Sequence, residues 1–218
     1  MDKSDIMKSV VFDMDGVIIK SEKFHHLATT EALKLYGVER EKEPEIKMRG
    51  KPLTDAMSEI VDYYKVNDDA HTFLVKRNDI FYDLLSKHEI AMPGVIDLIK
   101  KLHDKKVKIA LGTSATRDFA DFAIKKLELE DYFSATATVD DVLYGKPSPD
   151  IYLKAAELLG EDPSNCIAIE DADLGIQAGK SAGMKVVGFK SPESDGETLE
   201  QADYIITSFN EFDFKWLE

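Results

Sequence analysis

The 218-residue chain has little cysteine, few cations relative to its anions, and no long apolar segment. Its single cysteine, Cys166, excludes an internal disulfide and lies in the apolar run CIAI, where we expect a small buried hydrophobic residue. The formal net charge of -14 argues against nucleic acid and anionic membranes as partners. An anionic substrate would therefore need locally placed cations.

No stretch reaches transmembrane length, and the first residues, MDKSDIMK, lack the apolar centre of a signal peptide. We therefore expect a cytoplasmic protein. The sequence has no strong apolar pattern that demands a dimer, so we expect a monomer or a weak homo-oligomer. The length allows one large domain or two small ones with a sizeable core.

Short apolar runs rich in β-branched residues alternate with helical patterns along most of the chain. Strands that are apolar throughout and separated by helices are typical of a parallel sheet covered on both faces. We therefore predict an α/β fold with a doubly wound, Rossmann-like core. The six predicted strands are 9–13, 107–112, 134–139, 166–170, 185–189 and 204–207.

The alternation breaks between the first strand and residue 92, where three helical patterns and no convincing strand occur. An insertion of roughly seventy residues is too long for a loop. We therefore predict an inserted α-helical cap domain at 21–92, and a catalytic core of residues 1–20 plus 93–218. The apolar stripe predicted for the first cap helix consists of Phe24, Leu27, Ala28 and Leu35.

Polar residues stand near the ends of four predicted strands. In an open parallel sheet the carboxyl ends of the strands share one edge, which is where ligands bind. Taken singly, each polar group has an ordinary explanation as a helix cap or a solvated turn. Their common position favours a site. The groups are Asp13 and Asp15, Thr113 and Ser114, Lys146, and Glu170, Asp171 and Asp173.

The pair Asp13 and Asp15 raises a physical question, because like charges at the end of a buried strand raise each other's pKa and lose hydration. A cation between them answers it. Asp13, Asp15 and Asp171 offer the hard oxygen ligands that Mg²⁺ prefers. A lysine and hydroxyl donors facing the metal would cradle a phosphate, which a nearby aspartate could attack to form an aspartyl-phosphate.

Four motifs, FDMDGV, GTS, GKPSPD and IEDADLGIQAGKSAGM, follow one another in this order. Together they resemble the haloacid dehalogenase superfamily, in the C1 branch that has a helical cap after the first strand, and the match covers essentially the whole chain. The resemblance implies that Asp13 is the nucleophile. It implies that Asp15 is the general acid and base, with a backbone carbonyl that binds the metal.

The same resemblance assigns roles to the other core motifs. Thr113 and Ser114 would contact the phosphate, and Lys146 would neutralise the transferring phosphoryl group and steady Asp13. Asp171 would be a direct Mg²⁺ ligand and Glu170 an indirect one through water. The glycines of the last motif would be structural, because small residues allow close packing of a helix on the sheet; they are Gly175, Gly179 and Gly183.

Cap residues would choose the substrate. His25, on the first predicted cap helix, is a candidate, although a hydrogen-bonded helix residue explains it equally well. The basic loop Arg49, Gly50 and Lys51 is similar to the cap loop that reads substrates in this branch, and a solvated basic turn is the alternative. Lys20 departs from the family pattern, since relatives usually carry an acidic residue in this linker.

The leading hypothesis is a Mg²⁺-dependent phosphatase acting on a small phosphorylated metabolite, either a sugar phosphate or a nucleoside monophosphate such as pseudouridine monophosphate. The alternative is a phosphomutase of the β-phosphoglucomutase type, which carries the same core residues. A dehalogenase is disfavoured, because those relatives lack the second aspartate and the metal. A signalling receiver or binding module is disfavoured too, because receivers lack both the helical insertion and the D-x-D pair.

Overall fold

The protein is described by a computed structural model that covers residues 9–39, 53–192, 194 and 196–218. Over these residues the predicted α/β core is confirmed as one six-stranded sheet in the order β3-β2-β1-β4-β5-β6, with every neighbouring pair parallel. The strands are β1 Ser9–Phe12, β2 Lys108–Gly112, β3 Ala135–Ala137, β4 Cys166–Glu170, β5 Lys185–Phe189 and β6 Tyr204–Ile206.

The helices are α1 Glu22–Lys34, α2 Leu53–Tyr64, α3 Ala70–Lys87, α4 Val95–Asp104, α5 Arg117–Lys126, α6 Asp150–Leu159 and α7 Asp173–Ser181. Among the residues that the structure describes, no strand lies between β1 and the first three helices or between those helices, and the remaining four alternate with strands. None of these described helices is long and apolar enough to cross a membrane.

Helices cover both faces of the sheet. Val11 belongs to an apolar cluster with residues of α6 and α7, such as Ile151 and Ile176. Because side chains alternate along a strand, Val10 and Phe12 point to the opposite face, and they too have no exposed surface. A strand buried on both faces has no solvent side, which explains the uninterrupted apolar run in β1.

Cys166 begins β4 and is fully buried within the same cluster. Burial raises the pKa of its thiol to about 11, so the side chain is a neutral, small hydrophobic group at neutral pH. This confirms the expectation from its apolar surroundings in the sequence.

Contacts divide the chain into two compact units. One contains the described residues up to Lys20 and continues with Ile90–Glu218, and the other lies within Ser21–Glu89. Within the first unit, the segment that ends at Lys20 lies beside the segment that begins at Ile90. The Lys20 amide donates to the Ile90 carbonyl at 2.8 Å, and the Met92 amide donates to the Ile18 carbonyl at 2.8 Å. The role of the helical unit as a cap stays a prediction.

The apolar stripe predicted for α1 is partly wrong. Phe24 and Ala28 are buried, but Leu27 is 38% exposed and Leu35 is 63% exposed. The helix ends at Lys34, so Leu35 lies in the turn beyond it. The buried face of the helix instead consists of two rows of residues at four-residue spacing, and Leu27 belongs to neither row. The buried residues are Phe24, Ala28, Thr29, Ala32 and Leu33.

Candidate active site

Most of the predicted core site residues lie at the carboxyl ends of the central strands. Asp13 directly follows β1, Thr113 follows β2, and Glu170 is the last residue of β4 with Asp171 next to it. Since β1 lies between β2 and β4, Asp13 is flanked by both. Its amide continues the ladder by donating to the Ile169 carbonyl at 2.9 Å. The parallel sheet thus brings distant residues to one edge.

Lys146 joins these strand ends. Its Nζ donates to Asp13 Oδ1 at 2.5 Å, to Glu170 Oε1 at 2.6 Å and to the Gly112 carbonyl at 2.9 Å. The Tyr152 hydroxyl oxygen, 3.3 Å from Nζ, is a fourth and more distant acceptor, so the three donors of the ammonium group are fully used. The side chain is 8% exposed, so its two charge-assisted bonds lie in a poorly solvated environment where they are strong.

Glu170 is held on both carboxylate oxygens. Oε1 accepts hydrogen bonds from Lys146 and from the Tyr152 hydroxyl, at 2.6 and 2.8 Å. Oε2 accepts from the backbone amides of Asp171 and Ala172, at 3.1 and 3.3 Å. With its lone pairs engaged by protein donors, this carboxylate suits the predicted contact with a metal through water better than direct coordination.

The Asp171 carboxylate accepts hydrogen bonds from two serine hydroxyls of the loop after β5. Ser194 Oγ donates to Asp171 Oδ2 at 3.1 Å, and Ser191 Oγ donates to the same oxygen at 3.4 Å. Both serines are buried. Sequence reasoning missed them, because nothing in their local pattern indicates that this loop returns to the end of β4.

Two glycines make room for these carboxylates. A Cβ at Gly16, whose φ is +79°, would overlap the Asp171 carboxylate, and a Cβ at Gly175 would overlap the carboxylate of Glu170. The packing role predicted for Gly175 is therefore incomplete, since its neighbour is a site carboxylate rather than only the sheet. Gly179 fits the packing prediction, because a Cβ at this position would lie 2.9 Å from Val186 Cγ2.

Carboxylate oxygens of Asp13, Glu170 and Asp171 lie within 4.8 Å of one another. Burial raises the pKa of Asp13 well above its ordinary range, the Lys146 ammonium opposes this rise, and Glu170, Asp171 and Asp15 add to it. One lysine thus faces several carboxylates. A divalent cation fits this donor set, because hard oxygen ligands and an excess of negative charge are what such ions require.

Asp15 is half-buried, and its carboxylate is not among the three that form this cluster of described residues. The contact predicted for it with a metal used the backbone carbonyl. The turn that contains Asp15 is closed by its neighbours, since the Gly16 amide donates to the Ile19 carbonyl at 2.9 Å.

The two predicted phosphate contacts differ in exposure. Thr113 is fully buried, and its Oγ1 accepts a hydrogen bond from the Ala115 amide at 3.0 Å, which leaves the hydroxyl proton able to donate to a ligand. Ser114 is exposed. Of this pair, Thr113 is the residue whose side chain is both buried and held by a hydrogen bond.

His25 is engaged within the helical unit. Its Nδ1 lies 2.5 Å from a terminal guanidinium nitrogen of Arg77, and its ring stacks on Phe81 at 4.2 Å between centroids. Burial and then the Arg77 charge lower the pKa of His25 to about 3, so Nδ1 is an acceptor on a neutral ring. These contacts favour the hydrogen-bonded helix residue over substrate recognition. The predicted loop residues Arg49, Gly50 and Lys51 lie outside the described residues.

The chain is similar to known proteins over most of its length. A family model described as haloacid dehalogenase-like hydrolase matches residues 10–189. Fructose-1-phosphate phosphatase YqaB of Escherichia coli strain K12 is 32% identical over 178 residues, covering 82% of this chain and 94% of that protein. Beta-phosphoglucomutase of Bacillus subtilis strain 168 is 30% identical over 207 residues, covering 92% and 89%.

Solved structures extend the comparison to the fold. A crystal structure of a HAD hydrolase, family IA, variant 3, from Entamoeba histolytica matches with a TM-score of 0.82 and 28% identity. The match covers 97% of this chain and 97% of that one. The similarity therefore includes the helical unit as well as the sheet.

Proposed function

The chain belongs to the haloacid dehalogenase-like hydrolases, and we propose that within this family it is a Mg²⁺-dependent phosphatase of a small phosphorylated metabolite. The substrate class is a sugar phosphate or a nucleoside monophosphate. The observation that carries the proposal is the buried ammonium of Lys146, which is bonded to Asp13 beside the carboxylates of Glu170 and Asp171. This arrangement gives a nucleophile, a fixed cation and a metal-binding edge.

The reaction would take place in two displacements at phosphorus. An Asp13 carboxylate oxygen attacks the phosphorus atom, the bond to the substrate oxygen breaks, and Asp15 gives its proton to the departing alcohol. Asp15, now ionised, then takes a proton from a water molecule that attacks the aspartyl-phosphate. The bond between Asp13 and phosphorus breaks, inorganic phosphate leaves, and both side chains return to their starting forms.

Lys146 orients the Asp13 carboxylate and favours its ionised, nucleophilic form, because the ammonium charge opposes the rise in the pKa of Asp13 that burial causes. The Thr113 hydroxyl is positioned by the Ala115 amide and would donate to a phosphoryl oxygen. Phosphoryl transfer depends mainly on this kind of positioning and charge stabilisation.

The carboxylates of Asp13 and Asp171, together with the Asp15 carbonyl, would hold Mg²⁺, and Glu170 would contact it through water. When bound, the ion supplies charge stabilisation for the transferred phosphoryl group. An oxygen-only donor set fits hard divalent ions in general, and of these we propose Mg²⁺, which proteins typically bind through one or two carboxylates together with water and a substrate phosphate.

The remaining parts of the proposal concern the setting of the reaction. A net charge of -14 disfavours polyanionic partners, so we propose that the enzyme acts on small molecules rather than on nucleic acid or membranes. Its location in the cytoplasm stays the expectation from the sequence. It would act as a monomer or a weak homo-oligomer. The helical unit stays the part predicted to select the substrate.

A phosphomutase is the second candidate, because the similarity to beta-phosphoglucomutase of Bacillus subtilis covers 92% of this chain. In that reaction the phosphoryl group on Asp13 would pass to a second sugar hydroxyl instead of to water. The described core residues serve both outcomes equally.

The test is phosphate release from a panel of sugar phosphates and nucleoside monophosphates, with Mg²⁺ and with a chelator. The panel includes β-glucose 1-phosphate, assayed for glucose 6-phosphate as well as for free phosphate. Selective, Mg²⁺-dependent release of phosphate would support the phosphatase. Conversion to glucose 6-phosphate without release would establish the mutase, and no turnover of any compound would contradict both.

A further inference from the structure

Tyr152 is a polar side chain in an apolar environment. It lies in the first turn of α6 and is fully buried in the cluster that contains Val11, Ala168 and Ile176. A buried phenol needs a partner for its hydroxyl, and this one reaches out of the cluster to Glu170 Oε1 at 2.8 Å.

The same side chain touches Lys146. The Tyr152 oxygen lies 3.3 Å from Lys146 Nζ, and the centroid of its ring lies 4.8 Å from that nitrogen. The hydroxyl proton goes to Glu170, because an ionised carboxylate only accepts hydrogen bonds. Tyr152 thus contacts two charged groups of the site, although the proposed reaction gives it no step.

The ammonium of Lys146 must exchange a bond to bind phosphate. Its three donors already face Asp13, Glu170 and the Gly112 carbonyl. When one donor turns to a phosphoryl oxygen, Glu170 Oε1 can lose a partner inside a site where an unsatisfied charge is costly. The Tyr152 hydroxyl would remain as a donor to that oxygen and would keep the carboxylate in place.

We propose that Tyr152 is a positioning residue whose hydroxyl fixes the Glu170 carboxylate and whose ring supports the Lys146 ammonium, so that both stay aligned with Asp13 during phosphoryl transfer. The proposal rests on the proposed function for its kinetic consequences. Its geometric content, that the hydroxyl holds Glu170, stands apart from turnover.

The variant that isolates the hydroxyl is Tyr152→Phe, which keeps the ring beneath Lys146 and the packing of α6. We expect kcat to fall about tenfold with KM nearly unchanged, since one hydrogen bond to a charged group is lost. We also expect Mg²⁺ to bind the substrate-free protein about tenfold more weakly by calorimetry, because the carboxylate that supports the ion loses its orientation. Equal rates and equal Mg²⁺ affinities would overturn the proposal.

Tyr132→Phe is the matched control. Tyr132 belongs to the same unit, contacts the ring of His103, and its hydroxyl has no hydrogen bond to any residue that the structure describes. This variant should match the wild type in kcat and in Mg²⁺ affinity. A loss as large as that of Tyr152→Phe would mean that removing any tyrosine hydroxyl from this unit has the effect, which would refute a specific role.

A double-mutant cycle with Glu170→Ala separates positioning from general stabilisation. If Tyr152 acts through Glu170, Tyr152→Phe has no further effect on kcat or on Mg²⁺ affinity once Glu170 is replaced. If the two losses multiply, Tyr152 acts independently of Glu170 and the proposal is wrong.

A crystal structure of Tyr152→Phe distinguishes this proposal from the proposed function. Wild-type protein without Mg²⁺-dependent turnover would refute the phosphatase and the mutase. The position of Glu170 in the variant would still be decisive. Rotation of the carboxylate away from its place beside Lys146 supports the positioning role, and a carboxylate that superposes on the wild-type one overturns it.

Discussion

Lys146 Nζ lies 2.5 Å from Asp13 Oδ1, although 133 residues separate the two in the chain. The side chains are 8% and 10% exposed, so water screens the pair poorly. Removal of Lys146 would leave two buried carboxylates without their shared cation, whereas removal of the Asp13 charge leaves Lys146 paired with Glu170 at 2.6 Å. This relationship underlies the first two predictions.

Asp13→Asn should abolish turnover while leaving the fold intact, because the amide has the same shape but cannot serve as the nucleophile. The loss should be roughly 10³-fold or more in kcat. Mass spectrometry after mixing with substrate should show no phosphorylated protein. Asp118→Asn, at an exposed position of α5, is the control and should keep wild-type activity. Substantial residual turnover in Asp13→Asn would remove the covalent role.

Lys146→Met should lower the free energy of unfolding by about 3–5 kcal/mol in the absence of divalent ions, because Asp13 and Glu170 lose their shared cation. Without that cation the folded-state pKa of Asp13 rises further above its unfolded value. Protonation of Asp13 therefore stabilises the folded variant at low pH, and this contribution is lost as pH rises. The loss of unfolding free energy relative to the wild type should be smaller at pH 5 than at pH 7.5.

Urea denaturation at both pH values checks this prediction. Lys154→Met is the control, because Lys154 forms a partly exposed pair with Glu157 at 3.0 Å. Its cost should be under about 1 kcal/mol at either pH. A deficit for Lys146→Met that is equally small would show that the pair contributes little.

Gly175→Ala and Gly179→Ala should separate catalysis from stability, although both add one methyl group to α7. The first methyl would displace the Glu170 carboxylate, and we expect about a tenfold loss of kcat. The second would press on Val186 and Ala168, at a cost of about 1–3 kcal/mol in unfolding free energy with kcat retained. Steady-state kinetics and denaturation of both variants test the contrast, which fails if the two behave alike.

Mg²⁺ should stabilise the protein against unfolding, because it binds the folded site and not the unfolded chain. At a free concentration of one hundred times Kd the gain should be about 2.7 kcal/mol. Asp171→Asn should lose this gain. Asp173→Asn should keep it, because Asp173 accepts the amides of Thr198 and Leu199 instead of facing the site. An equal response to Mg²⁺ in both variants would argue against coordination by Asp171.

Acid should destabilise the helical unit through His25. The folded pKa of His25 is about 3, against an ordinary 6.5, so between these values the unfolded chain takes up a proton that the folded protein refuses. Stability is therefore present above pH 6.5 and is lost as pH falls toward 3.

The measurement is the unfolding free energy of His25→Gln between pH 7 and pH 5, where its dependence on pH should be shallower than in the wild type. His71→Gln makes the same change at an exposed position and should keep the wild-type dependence. Parallel curves for the wild type and His25→Gln would contradict a buried, neutral His25.

The parallel core could be predicted from the sequence because the central strands β1, β2 and β4 contain continuous apolar runs, a pattern that requires cover on both faces. The meeting of Asp13 and Glu170 followed from topology, since the carboxyl ends of parallel strands share an edge. Lys146 lies in the connection that leaves β3 and contacts both carboxylates there. Both inferences rest on patterns that span several residues, and such a pattern can still be recognised when a single residue departs from it.

Other features depend on single side-chain positions. Leu27 has the right chemistry for a buried stripe, yet the contacts of α1 favour a neighbouring arc. Tyr152 would fill its place in α6 as a phenylalanine, so its chemistry becomes visible only when the distance to Glu170 is known. Ser194 contacts Asp171 because of the path that its loop takes, and no periodic pattern in the sequence indicates that path.

The pairing of Ser9 with both Lys108 and Cys166 has a consequence for synthesis on the ribosome. A growing chain can pair β1 with β2 early, but the other edge of β1 stays open until β4 has emerged. Parallel pairing over such a separation is slow, and an open apolar edge invites association with other chains. Chains truncated before Cys166 should thus aggregate, and they would also lack Glu170 and Asp171. The strand that covers the open edge of β1 is thus the same strand that delivers Glu170 to the site, and both events wait for the synthesis of β4.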